Sequence, residues 1–343
     1  MLKSIRECIS QIRLRLSILR RLVKYIALSY VHGRDLELIQ DNTAKLSASD
    51  LVLFCTLRNE SVRIPFFLQY YRNLGVKHFF FIDNDSTDGF AKLIADFDDV
   101  SVWHTKASYK RSNFGMHWMN FLLRKFGKNR WCVVCDPDEF LVFPRMDTRG
   151  LEELLMMLDQ EKQPALFCLM LDMYSDDISS AEYKPGDVPW KICPYYDPFG
   201  YTGKINSKQM ELFVQGGVRG RVFYRDDPIR SPALNKIPLV KWRWHYNYIS
   251  SMHALIPRAP NDVYGEQNIT GCLLHFKFFS LLEEKASEEL LRKQHYDNSS
   301  EYVKYSDAIN DNEKIFSRGF SSEYKGWRKL SRQGLLNLGY WKL

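Results

Sequence analysis

The chain has no run of 18 consecutive apolar residues, so nothing in it reads as a membrane-spanning helix. Basic residues interrupt every apolar stretch near the start, and a cleavable export signal is not expected either. Cysteine is sparse and odd in number: Cys8, Cys55, Cys132, Cys135, Cys168, Cys193 and Cys272. Most sit inside apolar runs, which predicts reduced, buried thiols and a cytoplasmic setting. Cys132 and Cys135 form a C-x-x-C, but three apart on a strand they face opposite sides, and no second pair stands at zinc-site spacing. Internal repeats and low-complexity tracts are absent. Acidic residues are nearly missing from positions 1–30, where Glu7 faces Lys3, Arg6, Arg13, Arg15, Arg20, Arg21 and Lys24, a net of +6. The formal charge of +7 therefore resides in the leading segment. The near-neutral body is not expected to bind nucleic acid or another polyanion.

What is present describes a globular protein: 45% hydrophobic and 14% aromatic residues over 343 positions, enough for one large core or two small ones. Residues 2–31 read as one amphipathic helix. Ile5, Ile9, Ile12, Leu16, Leu19, Val23 and Ile26 recur at steps of four and three, with most basic residues off that stripe. Such a helix can lie on an anionic membrane surface, pair with a partner helix, or pack on the body. The first option predicts a peripheral position on the inner face of a membrane. Residues 32–48 are polar and read as a linker, giving a leading segment of 1–48.

From Leu51 the pattern alternates. Apolar strands are expected at Leu51–Thr56, His78–Ile82, Val100–Trp103, Trp131–Cys135 and Ala165–Met173. Helices fall between them, one closed by Gly75, another over Asn113–Phe126 and a third over 148–160. This order predicts an α/β fold with a mostly parallel sheet and helices on both faces. Ligands then bind beyond the C-terminal ends of the strands. Three polar clusters fall at such ends: Thr56 to Glu60, Asp83 to Asp88, and Asp136 to Glu139. From Tyr174 to about Lys208 the pattern breaks up, which marks a functional loop. Strand-like pieces follow at 209–214, 220–225 and around Cys272–Phe279, then a charged helix over 280–295. The main domain is expected at 49–280 and a helical extension at 281–343.

The third cluster carries the most chemistry. An apolar, β-prone run, Trp131-Cys-Val-Val-Cys135, leads into Asp136-Pro137-Asp138-Glu139. On an extended chain Asp136 and Asp138 point to one side and repel, so a cation between them is the usual resolution. Mg²⁺ or Mn²⁺ suits a site of few carboxylates plus substrate phosphates. Glu139 points the other way and braces the loop. A solvated turn is the plain alternative. Two carboxylates this close on one strand do not flank a scissile bond from opposite faces, so a glycosidase is not indicated.

Cys55-Thr-Leu-Arg58-Asn59-Glu60, then Asp83-Asn84-Asp85-Ser86-Thr87-Asp88, then Asp136-Pro-Asp138-Glu139-Phe140 resemble the signature set of family-2-type glycosyltransferases. The nearer resemblance is to the bacterial branch with R-N-E, D-N-x-S-x-D and D-x-D-E-F motifs, related to family 92. Lys236-Ile-Pro-Leu-Val, His253 and Leu274-His275-Phe-Lys277 resemble that branch's later motifs, and the resemblance spans roughly residues 50–310. It implies a GT-A-type fold and a nucleotide-sugar donor, with UDP-sugar first. It also implies Mn²⁺ or Mg²⁺, a glycan or glycolipid acceptor, and a place in cell-surface polysaccharide or lipopolysaccharide synthesis.

The donor-binding set it implies is Thr56, Arg58, Asn59, Glu60, Asp83, Asn84, Asp85, Ser86, Arg111, Asp136 and Lys236, with Asn113 and Asn120 in the same region. The metal ligands are Asp136, Asp138 and His275, with His253 in reserve. A cation at the aspartates would take up the charge that grows on a departing nucleoside diphosphate. Arg219 and Arg221 are candidates for the phosphate or for plain strand decoration. Asp172, at the end of the next strand, is the candidate base, with Asp176, Asp177 and Glu211 competing. The family's usual E-D base motif is not evident. Two rivals remain. A strand followed by D-x-D also opens haloacid-dehalogenase-type phosphatases, which would use Asp136 and Asp138, although Phe140 stands where they expect Thr or Val. The other is a non-catalytic, membrane-associated binding protein of the same fold.

Overall fold

The expected strands form, with boundaries moved by a residue or two, in the computed structural model of the chain, which describes residues 2–177, 181–277 and 315–341, and side chains from residue 12 onward. The helix expected at 280–295 and most of the 281–343 extension lie outside the described residues. A nine-stranded sheet forms the centre. Its strands are β1 (Glu37–Gln40), β2 (Val52–Leu57), β3 (His78–Asp83), β4 (Val100–His104), β5 (Trp131–Val134), β6 (Glu139–Val142), β7 (Ala165–Asp172), β11 (Asn235–Lys241) and β14 (Thr270–His275). Across the sheet they run β1-β4-β3-β2-β5-β11-β7-β14-β6. Six strands point one way, since β4, β3, β2 and β5 pair in parallel, as do β7 and β14. The other three, β1, β11 and β6, run against them.

Helices α2 (Ile64–Asn73), α3 (Phe90–Ile94), α4 (Met116–Phe126) and α5 (Leu151–Gln160) connect the strands. Because helices and loops cover both faces, β3 and β7 are buried at every residue and read as unbroken apolar runs rather than alternations. Strand β14 fits between β7 and β6 because Gly271 has no side chain: a Cβ there would meet the Val142 carbonyl at 2.7 Å. Two small hairpins, β9–β10 (Tyr201–Asn206, Glu211–Gly216) and β12–β13 (Asn247–Ser250, Ala254–Ile256), stand beside the sheet. The piece expected as a strand at 220–225 is instead a helical turn, Arg219–Phe223. Near the C-terminus β15 (Ser322–Glu323) pairs with β8 (Tyr195–Tyr196), and Leu330, Leu335, Leu336 and Trp341 join the main core.

The polar stretch 32–48 is not simply a linker. It contains the edge strand β1, and its amides are put to use: Gln40 Nε2 donates to the carbonyls of Phe97 (3.0 Å) and Val100 (3.2 Å), and Asn42 Nδ2 does the same (3.0 and 2.9 Å). Helix α4 starts three residues later than expected, because Asn113, Phe114 and Gly115 are all left-handed. Gly115 suits that turn doubly, since a Cβ there would press on Tyr109 at 3.0 Å and on Thr56 at 3.3 Å.

Helix α1 (Leu2–Gly33) docks through a stripe the periodicity did not single out. Ile18, Leu22 and Tyr25 pack on Ile249, Ala254 and Ile256 of the β12–β13 hairpin. Arg124 of α4 donates to Ser29 Oγ at 2.7 Å, and the His32 and His117 rings stack 5.0 Å apart. Burial, and next the charges of His32 and Lys24, push the His117 pKa down to about 4. An exposed imidazole titrates near 6.5. The stability that depends on a neutral His117 is thus present above about pH 6.5 and lost as pH falls toward 4. Urea unfolding should show a loss of about 1–3 kcal/mol across that window, and His117→Gln should flatten it. An equally steep profile in the variant would contradict this.

Candidate functional site

Six parallel strand ends place polar residues along one rim: Arg58 after β2, Asp83 on β3, His104 on β4, Asp136 and Asp138 after β5, Asp172 on β7 and His275 on β14. The antiparallel strands bring their beginnings to the same rim, so Lys236 of β11 and Glu139 of β6 stand among them. Register sets the row: His275 pairs with Asp172 on one side and with Glu139 on the other. The three expected clusters thus meet, at the point where the strand order reverses between β2 and β5.

The two aspartates do not share one partner. Strand β5 ends at Val134, and Asp136 to Glu139 form a turn in which Glu139 N donates to Asp136 O at 3.1 Å. Without an extended chain the same-side argument fails, and the carboxylates diverge. Asp136 lies 3.4 Å from Lys236 Nζ, while Asp138 Oδ2 lies 3.4 Å from His275 Nε2. Glu139 turns into the core but not away from Asp136: its carboxylate meets the same Lys236, at 2.8 Å. Tyr71 braces this turn, donating its hydroxyl to Glu139 O at 2.9 Å and accepting from Leu141 N at 3.2 Å. Burial works against the charge on Lys236, but Glu139 and Asp136 outweigh it and raise its pKa. Burial raises the Glu139 pKa, with Lys236 pulling it back.

His275 is the second centre. Its Nδ1 lies 2.6 Å from Asp172 Oδ1, so Nε2 is the nitrogen presented to Asp138. Arg219 grips the same carboxylate with two bonds, Nε at 2.7 Å and Nη2 at 2.8 Å. Burial opposes a charge on His275, yet Asp138 and Asp172 more than offset it and lift its pKa to about 9. Burial likewise opposes the charge on Asp172, but Arg219 and His275 hold its carboxyl well below the usual range.

This corrects the expectation that Asp172 is the catalytic base. Its side chain is 1% exposed and both oxygens are engaged, so it orients His275 rather than meeting a hydroxyl. The competitors are placed no better: Glu211 is buried with Asn206 Nδ2 as its donor, and Asp176 and Asp177 are exposed on the loop after β7. Arg219 and Arg221 are spent on carboxylates, the latter on Asp197 at 2.7 Å. His253 donates Nδ1–H to the Asn235 carbonyl at 2.5 Å.

The first two motifs form one stitched unit. Arg58 Nη1 donates to the carbonyls of Asn84 (2.7 Å) and Asp85 (2.5 Å). Asn59 N donates to Ser86 Oγ at 3.0 Å, and Thr87 N returns to Asn59 Oδ1 at 2.8 Å. Asp83 accepts from Ser86 N at 2.9 Å, and Glu60 pairs with Arg63 at 2.8 Å. Arg63 in turn donates to Phe276 O at 2.7 Å, tying this unit to the end of β14. Asn84 is buried and spends both amide protons on Thr105 O (3.0 Å) and Ala107 O (3.1 Å), which shapes the loop. Asn120 is likewise structural, exchanging bonds with Tyr248, and Asn113 donates to Ile249 O at 3.3 Å. Arg111 is exposed on the loop before α4. Asp85, left-handed and 43% exposed, lies 3.7 Å from Arg58 and 3.9 Å from His104, and the buried Oγ1 of Thr56 has no hydrogen-bond partner among the described residues. Sequence reasoning missed Tyr71 and Arg63. Their only signal was position, on and just before the helix that follows R-N-E.

Among the described residues no group of three His, Cys, Asp or Glu converges as a metal site. The fit is narrower: a carboxylate and an imidazole nitrogen 3.4 Å apart, close to the spacing of neighbouring ligands on one ion with bonds of roughly 2.1 Å. Asp136 is held by Lys236 and drops out of the expected ligand set.

No protein-family model and no curated protein matches the chain. Solved structures match it weakly. The apo UDP-glucose pyrophosphorylase is 11% identical, covering 82% of this chain and 92% of its own, with a TM-score of 0.28. UDP-glucose pyrophosphorylase complexed with UDP-glucose is 12% identical over 77% of this chain and 99% of its own, TM-score 0.25. A 4-diphosphocytidyl-2C-methyl-D-erythritol synthase is 12% identical over 42% and 67%, TM-score 0.26. Similarity this low assigns this chain neither an activity nor a ligand.

Replacing Lys236 with Met would leave Glu139 buried and uncompensated. Urea unfolding should show a cost of about 3–5 kcal/mol at neutral pH. A variant as stable as the parent would mean that Lys236 does not hold the rim together.

Proposed function

We propose that the chain is a metal-dependent glycosyltransferase of GT-A type. It moves a sugar from a nucleoside-diphosphate donor, UDP-sugar first, to a hydroxyl of a glycan or glycolipid. One observation carries this reading: Asp138 and His275, brought from different strands, face each other at 3.4 Å on a rim where the R-N-E, D-N-x-S-x-D and D-x-D-E-F motifs meet. Asp138 and His275 would hold Mn²⁺ or Mg²⁺, leaving other positions to diphosphate oxygens and water. The ion would supply positive charge where the leaving diphosphate gains negative charge.

The chain's own residues divide the remaining work. Asp172, fixed by Arg219, holds His275 Nδ1 and so aims Nε2 at the crevice. His275 must lose the proton it otherwise shares with two carboxylates before it can act as a ligand. Lys236 offsets Asp136 and Glu139, so that Asp138 is not one of three uncompensated carboxylates. The Arg58–Asp88 unit, with exposed Asp85, would form the nucleoside side of the rim.

The test is incubation of the full chain with Mn²⁺ and UDP-, GDP- or TDP-sugars, following nucleoside diphosphate release. Slow release, lowered at least about 100-fold by Asp138→Ala with an unchanged melting curve, supports transfer. Phosphatase activity without any nucleotide sugar would favour an aspartyl phosphatase instead. No release and no binding by thermal shift would leave a non-catalytic protein. A separate variant, Asp172→Asn, distinguishes aiming from proton abstraction. As an orienting group its loss should weaken metal activation about 10–100-fold. A base would instead leave the metal requirement unchanged and remove the acidic limb of the pH profile.

A further inference from the structure

Helix α1 carries two separate apolar stripes, and among the described residues only one packs on the body. Ile18, Leu22 and Tyr25 dock on the β12–β13 hairpin. Ile12, Leu16, Leu19 and Val23, at steps of four, three and four, lie about 120° round the helix from that contact. They are 51%, 49%, 55% and 59% exposed. In sequence the same stripe continues to Ile9 and Ile5. Exposed Arg13, Arg20 and Lys24 border it on the side away from the body, and exposed Arg15 borders it on the other. Arg13, Ser17, Arg20 and Arg21 line a shallow groove beside Leu16.

We infer that this free face of α1 is a docking surface for a bilayer rich in anionic phospholipid headgroups. The stripe enters the acyl boundary and the bordering guanidinium groups meet lipid phosphates. Charge decides the occupant. A second copy would bring two segments of net charge +6 together, which repels, and a nucleic acid would leave four large apolar side chains in water. An anionic bilayer satisfies both the stripe and its rim. Because α1 is fixed to the body through its other stripe and through Arg124–Ser29, the bilayer would hold the strand-end crevice at a set orientation. The inference is independent of the transfer reading, and its test needs no substrate.

The full chain is sedimented with phosphatidylcholine–phosphatidylglycerol vesicles and with pure phosphatidylcholine vesicles. Binding to the anionic vesicles alone, weakened by added salt, is expected. The triple variant Leu16→Glu, Leu19→Glu, Val23→Glu alters only exposed positions and should bind at least about tenfold more weakly, with an unchanged melting curve. Arg13→Glu with Arg20→Glu should do the same. Equal binding to neutral vesicles, no vesicle binding, or undiminished binding by both variants would overturn the inference. So would a dimer in light scattering without lipid that the triple variant abolishes, since that would make a second copy the occupant.

Discussion

Like charge is crowded at one rim of the sheet, and buried cations make that crowding tolerable. Asp136, Asp138, Glu139 and Asp172 come from two chain segments and would repel if left alone. Lys236 sits against two of them, His275 against two and Arg219 against one. Each cation is nearly out of water, so its charge is sustained by the carboxylates rather than by solvent. Removing any one partner would strand the others, because a buried, unpaired charge costs several kcal/mol. The antiparallel strand β11 is what delivers Lys236 into the row. In an all-parallel sheet that position would have belonged to the far edge.

The balance is uneven in a useful way. Arg219 is committed to buried Asp172, and Lys236 to buried Glu139 as well as to the more exposed Asp136. Asp136–Lys236 and Asp138–His275 are the longest of these contacts, both at 3.4 Å, and Asp136 and Asp138 retain 40% and 17% exposure. These two longer links, at the open side of the network, are where a ligand can enter at the least cost. Around them, Arg58, Asn59, Ser86 and Asp83 spend their polar atoms on one another and shape the neighbouring wall.

The leading helix shows a different use of amphipathicity. Its dominant apolar stripe faces outward, while a weaker stripe of Ile18, Leu22 and Tyr25 attaches it to the body. The docked contact is reinforced by Arg124, by an Arg124–Tyr30 contact and by stacked histidines. Attachment therefore rests on a mixture of packing and polar contacts, which a count of apolar residues alone underrates.

Much of the sheet was legible in the chain itself. Runs such as His78–Asp83 and Ala165–Asp172 are apolar throughout because both faces are covered, and the polar clusters at their ends mark the rim whatever the strand order. Asp138 and His275 could be picked out by residue type and position. The sequence alone could not decide which carboxylate each cation would take, since that depends on strand order and register across segments about 100 residues apart. That is why Asp172 looked like a base and is found paired with Arg219 and His275, why Asp136 and Asp138 parted company once the chain turned after Val134, and why Asn84 was spent on two carbonyls. Local pattern determined which residues reach the rim; the pairing of β11 with β7 and of β14 with β6, set by long-range packing, determined what they do there.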